Sequence, residues 1–120
     1  MATFAKTLLS GSTNGRMIKV AATATAGTLI HATGTSSSII DEVWLYAVNS
    51  DTTARKLTIE FGNTTAPDDL IELTIAAESG LVLVVPGFVL TGTGSAANNV
   101  RAFAATANVI SIGGYVNRIS

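Results

Sequence analysis

The sequence predicts an all-β domain, a two-sheet antiparallel β-sandwich of about eight strands, and three observations carry that expectation. Apolar residues recur with period two over short stretches. Gly, Ser, Asn and Thr cut those stretches at spacings of roughly 8 to 15 residues, the rhythm of sandwiches and barrels. No window of about a dozen residues carries the 3.6-residue repeat of an amphipathic helix. Jelly-roll wiring is the first reading of the connectivity and an immunoglobulin-like order is the alternative, because periodicity does not encode which strands pair.

Taken in order, the first strand is expected over Met17 to Ala22, after the Asn14-Gly15 turn signal. The second is Thr28 to Thr33, ended by Gly34 and three serines. Asp41 to Val48 carries the strongest pattern, with Val43, Leu45 and Ala47 on one face and Trp44, Tyr46 and Val48 on the other. Both faces are apolar, so this strand is expected to be central and covered twice. Arg55 to Phe61 alternates Leu57, Ile59 and Phe61 with Lys56, Thr58 and Glu60, which predicts one buried and one wet face. Leu70 to Ile75 resumes the alternation after a polar loop. Leu81 to Val85 runs into Pro86-Gly87, which is expected to break or bend the strand before Phe88 to Leu90, since proline donates no ladder bond. Val100 to Ala105 and Asn108 to Ile119 complete the set, with a bulge expected at Gly113-Gly114. The polar, weakly patterned residues 1–15 read as an N-terminal arm, leaving 16–120 as the sandwich.

The composition narrows function mainly by exclusion. Charged residues make up 12% of the 120, about half the usual share, and the formal net charge is −1. The seven basic residues are scattered, so no stripe tracks a phosphate backbone, and nucleic acid is not an expected partner. Small polar side chains replace the missing charge. They are cheap to desolvate, and weak colloidal repulsion favours association. There is no cysteine, hence no disulfide framework or thiolate metal site. Residues 1–10 are too short and too polar for a signal peptide or membrane span, so release from a cell would need another route, such as a particle freed by lysis.

Catalytic and ligand-binding equipment is sparse. His31 is the single histidine and has no carboxylate within five residues, so a structural role is expected rather than a triad or zinc ligand. Asp41-Glu42 and Asp68-Asp69 lack calcium-loop spacing, and the second pair reads as a solvated turn after Pro67. No serine stands in a G-x-S-x-G elbow, and Gly92-Thr93-Gly94 lacks the lysine of a phosphate loop. Asn63-Thr64-Thr65 fits the glycosylation pattern by chance. No enzyme, cofactor, metal or small-molecule substrate is therefore expected. The aromatic residues Trp44, Tyr46, Phe88 and Phe103 read either as core or as interface anchors. Since Trp44 and Tyr46 lie opposite Val43 and Leu45, one set must leave the core or pack under a loop.

Several segments together resemble small virion proteins of tailed bacteriophages, nearest to the capsid decoration, or cement, proteins. They are residues 6–16 (KTLLSGSTNGR), 41–49 (DEVWLYAVN), 57–62 (LTIEFG), 81–87 (LVLVVPG) and 110–119 (ISIGGYVNRI). The similarity is one of texture and segment order over almost the whole chain. It implies a homotrimer on the outer surface of an icosahedral head, clamping neighbouring major capsid subunits, with no catalytic residues to carry over. Side-chain chemistry alone nominates Leu8, Leu9, Arg16, Trp44, Tyr46, Phe88, Arg101 and Tyr115 as interface candidates, with the arm ordering on neighbouring subunits by strand addition. The alternatives are a tail or head-fibre component that meets a host receptor, and a free carbohydrate-binding module.

Overall fold

Nine strands build two antiparallel sheets in the computed structural model, which describes residues 2–120; Met1, the first residue of the expected arm, lies outside them. The strands are β1 (Phe4–Leu8), β2 (Ile18–Lys19), β3 (Thr28–Ala32), β4 (Ile40–Asn49), β5 (Arg55–Gly62), β6 (Leu70–Ile75), β7 (Val82–Leu90), β8 (Asn99–Ala104) and β9 (Ile110–Ile119). One sheet has the order β1-β9-β4-β7, with β2 also on β9, and the other has the order β3-β8-β5-β6. The pairs β5·β6, β4·β7, β3·β8 and β2·β9 are nested one inside the next. A long hairpin folded over itself in this way is jelly-roll wiring, so the first reading of the connectivity holds and the immunoglobulin-like order does not.

The core is the alternate residues of both sheets. Val43, Leu45 and Ala47 of β4 meet Leu57 and Ile59 of β5, Val100, Ala102 and Ala104 of β8 and Ile110, Ile112 and Val116 of β9. Side-chain period two makes each strand contribute one face to this layer.

Several expectations are corrected. The strand expected over Met17 to Ala22 shortens to Ile18–Lys19, because the chain then crosses between sheets: Val20 N–H donates to Ile110 O, and Ala104 N–H donates to Ala22 O. β4 is central, as expected, but only its inner face is buried; Trp44, Tyr46 and Val48 remain half-exposed. The outer face of β5 is not wet at its middle. Glu60 is 1% exposed because residues 25–27 fold across it, with Thr25 Oγ1 donating to Oε2 (2.6 Å) and Gly27 N–H to Oε1 (2.7 Å). β7 runs unbroken through Pro86-Gly87, since it is a sheet edge and proline needs no outward partner there. The irregularity appears instead as two register shifts against β4. Gly113-Gly114 forms no bulge against β4, where the register is continuous. Gly114 is a close approach, since a Cβ on it would lie 2.0 Å from the Trp44 carbonyl oxygen. Finally, residues 4–8 of the segment read as an arm are the edge strand β1.

A candidate interaction face

The outer face of the five-stranded sheet gathers much of the exposed apolar surface. Register fixes its layout. Leu8 of β1 lies opposite Tyr115 of β9, which lies opposite Trp44 of β4, and Trp44 lies opposite Pro86 of β7. One step along the strands, Tyr46 stands between Gly113 and Leu83, and Met17 covers the space over Gly113. Leu8, Met17 and Leu83 are exposed, and Tyr46, Trp44 and Tyr115 are half-exposed. At one end of the sheet Phe4, Ile119 and Ile40 form a further apolar row, with Phe4 71% exposed.

Between these rows runs a polar one made of Lys6, Asn117 and Glu42. Glu42 Oε1 accepts from Trp44 Nε1 (2.7 Å) and from Asn117 Nδ2 (3.0 Å). Those two donors, the indole first, hold the Glu42 carboxyl below the usual carboxylate range. Trp44 and Tyr115 stack with centroids 6.2 Å apart and planes 14° apart, and Lys6 Nζ lies 4.6 Å from the Tyr115 centroid. β9 lies between β1 and β4, so Tyr115 is held between a cation on one side and an indole on the other. A Cβ on Gly87 would lie 2.7 Å from the Trp44 ring, so the indole also rests on the β7 backbone. The row Lys6, Tyr115, Trp44, Gly87 is thus a stack standing across four strands, with its ring faces used internally.

Of the residues nominated from sequence, Leu8, Trp44, Tyr46 and Tyr115 come together on this face. The other four do not. Leu9 is buried in the core, and Arg16 is exposed in the turn where its carbonyl accepts from Ser12 Oγ. Phe88, 61% exposed, lies at the open edge between the sheets against Phe61 of β5, at 5.3 Å between centroids. Arg101 lies on the other sheet, where Nη1 donates to Gly27 O (3.2 Å). Sequence reasoning missed Lys6, Glu42, Asn117 and Leu83. Their period-two offsets from Leu8, Trp44 and Tyr115 were readable, but the register that joins four strands was not.

The sequence also missed a buried polar cluster at one end of the sandwich. Asp41 accepts two bonds from Arg118, from Nε at 2.8 Å and Nη2 at 2.9 Å, and one from His31 Nε2 at 2.7 Å. His31 Nδ1 accepts the Ser10 amide (3.1 Å), so the ring proton resides on Nε2. Ser10 Oγ accepts the Ala32 amide, so this serine is a structural tie between chain segments. Asp69 likewise closes its own turn, accepting from Thr65 N–H. Among the described residues there is no concave pocket and no group of three His, Asp or Glu that could hold a metal. No family model, no curated protein and no solved structure matches this chain.

Proposed function

We propose that this chain is a capsid decoration, or cement, protein of a tailed bacteriophage. It binds the outside of the head as a homotrimer and stabilises contacts between major capsid subunits, with no catalytic role and no nucleic acid, membrane or small-molecule partner. The observation that carries the reading is the outer face of the five-stranded sheet, where apolar rows stand exposed on a chain with few charges. The texture and order of the segments named above support it from the sequence side.

The physical logic is avidity. Each copy brings a modest apolar contact, and three copies in one rigid unit raise overall affinity by roughly 10² to 10⁴ over a single contact. Bridging two capsid subunits in this way opposes the outward pressure of packaged DNA. The stacked row from Tyr115 through Trp44 to Gly87 serves this role by stiffening β9, β4 and β7 transversely, so that this part of the face meets a rigid partner without ordering cost.

Binding to purified expanded heads, to host cells and to immobilised glycans tests the proposal. Saturation at a fixed number of copies per head, with raised thermal resistance of the head, is expected. Binding to cells or glycans with none to heads would replace this reading with one of its alternatives.

A further inference from the structure

We propose that β1 is exchanged between copies of this chain, each copy laying its Phe4–Leu8 strand against β9 of a neighbour. The inference rests on the oligomeric part of the proposed function and says how the copies are joined. β1 is the strand least held by its own domain. Phe4, Ala5, Lys6 and Leu8 are exposed and Thr7 half-buried, and among the described residues β1 pairs with β9 alone. It contributes no side chain to the buried core, so its hold is a ladder, the Lys6 contact with Tyr115, and the paired bonds between Thr3 and Ser120. A strand with few buried apolar contacts opens at low cost relative to the whole fold.

The root of this strand is fixed firmly. Leu9 is 2% exposed, Ser10 is tied to His31 and Ala32, and Gly11 N–H donates to Ile30 O (3.0 Å). A Cβ on Gly11 would lie 2.5 Å from the Leu29 carbonyl oxygen, so the chain there is pressed onto β3. His31 is in turn held by Asp41, which Arg118 grips from β9. The exchanged part therefore ends between Leu8 and Leu9, and the buried cluster is the nail that holds the hinge. Phe4–Leu8 is itself the exchanged strand, so exchange requires the neighbour's β9 to lie directly beside the Leu8–Leu9 hinge.

A second copy is the occupant because β1 is the sequence whose side chains match the β9 edge. Ala5 and Thr7 fit beside Arg118 and Val116 on one face, and Lys6 finds Tyr115 on the other. Exchange keeps every one of these bonds, so it is disfavoured only by the effective concentration of a chain's own strand, on the order of millimolar. Phe4 and Leu8, 71% and 56% exposed, tip the balance when copies crowd together, since the junction of two copies can cover them.

The chain has no cysteine, which makes a crosslinking test direct. Lys6 and Asn117 are register partners, so Lys6→Cys and Asn117→Cys place thiols opposite each other. The single variants are mixed, incubated and oxidised, and the linked peptides are identified by mass. Expected is a 6–117 disulfide between different chains, and closed multimers from the double variant. A double variant that closes only within its own chain, with no 6–117 link in the mixture, overturns the proposal. The solution mass of the unmodified chain against one lacking residues 2–8 gives an independent reading, and a truncated chain as oligomeric as the full one also overturns it. Head binding is scored separately. A chain that exchanges β1 yet ignores capsids removes the proposed function, and one that binds capsids without exchange removes only this inference.

Discussion

Asp41 stands on the core face of β4, in the alternation that places Val43, Leu45 and Ala47 inside, where a lone carboxylate would be costly. Burial opposes its ionisation, but hydrogen bonds from Arg118 and His31 together with the Arg118 charge outweigh that penalty and hold its carboxyl below the usual range. A depressed folded pKa gives stability that is complete above the unfolded value of about 3.9 and is lost as pH falls through the folded value. Thermal melts of the wild type should therefore drop on acidification below about pH 4, and those of Asp41→Asn should drop less over the same window. Asp41→Ala, which strands Arg118 and His31, should cost about 3 kcal/mol in urea unfolding, the low end for breaking a buried pair because Arg118 can regain water. An unchanged acid profile in Asp41→Asn would mean the carboxylate contributes nothing to folding. None of this was legible in the sequence: His31 and Asp41 are 10 residues apart and Arg118 is 77 from Asp41, so only strand pairing brings them together.

Among the elements, those with an inner apolar face were legible and those without were not. Leu57, Ile59 and Phe61 announce β5, and the residues of β6 were read at their observed bounds, because burial of alternate side chains is what makes such strands form. β1 has no buried face, so its pattern carries no signal; it exists because the β9 edge offers it a ladder. The outer face of β5 misled for the converse reason: Lys56 is wet and paired with Glu72, whereas Glu60 is covered by a loop far from it in sequence. Glu60→Ala should release that loop, seen as faster amide exchange at Gly27 than in the wild type. Normal protection of Gly27 in that variant would show that the loop is held by something else. Pro86-Gly87 was read as a break because the sequence does not say which strand is an edge. Gly87 has φ +78° with the Trp44 ring against it, so Gly87→Ala meets both a strained backbone and a displaced indole. Its expected cost is about 1 to 3 kcal/mol in denaturant unfolding, with a changed tryptophan emission; unaltered stability would place the ring elsewhere.

For the whole molecule, the balance between charge and apolar surface decides how it associates. The formal net charge is −1, and on the outer face of the five-stranded sheet the charged side chains nearest its apolar rows are engaged: Glu42 accepts two hydrogen bonds and Lys6 sits on Tyr115. Attraction through this face is therefore apolar rather than coulombic. Screening shortens the reach of exposed charges but leaves apolar burial intact, so binding to the proposed partner should change by less than about threefold between low and roughly 0.5 M salt. Leu83 is 46% exposed on this face and lies outside the buried core. Replacing it with lysine should leave unfolding stability within about 0.5 kcal/mol, as for ordinary surface changes. The same Leu83→Lys should weaken association at least about tenfold, because the new ammonium must be desolvated or must keep the surfaces apart. The two measurements constrain each other. A steep loss of binding with salt, together with an indifferent Leu83→Lys, would move the contact from the apolar rows to exposed charges such as Lys19, in register with Ser111 and Val48 on the same face, and Arg16 in the turn before β2.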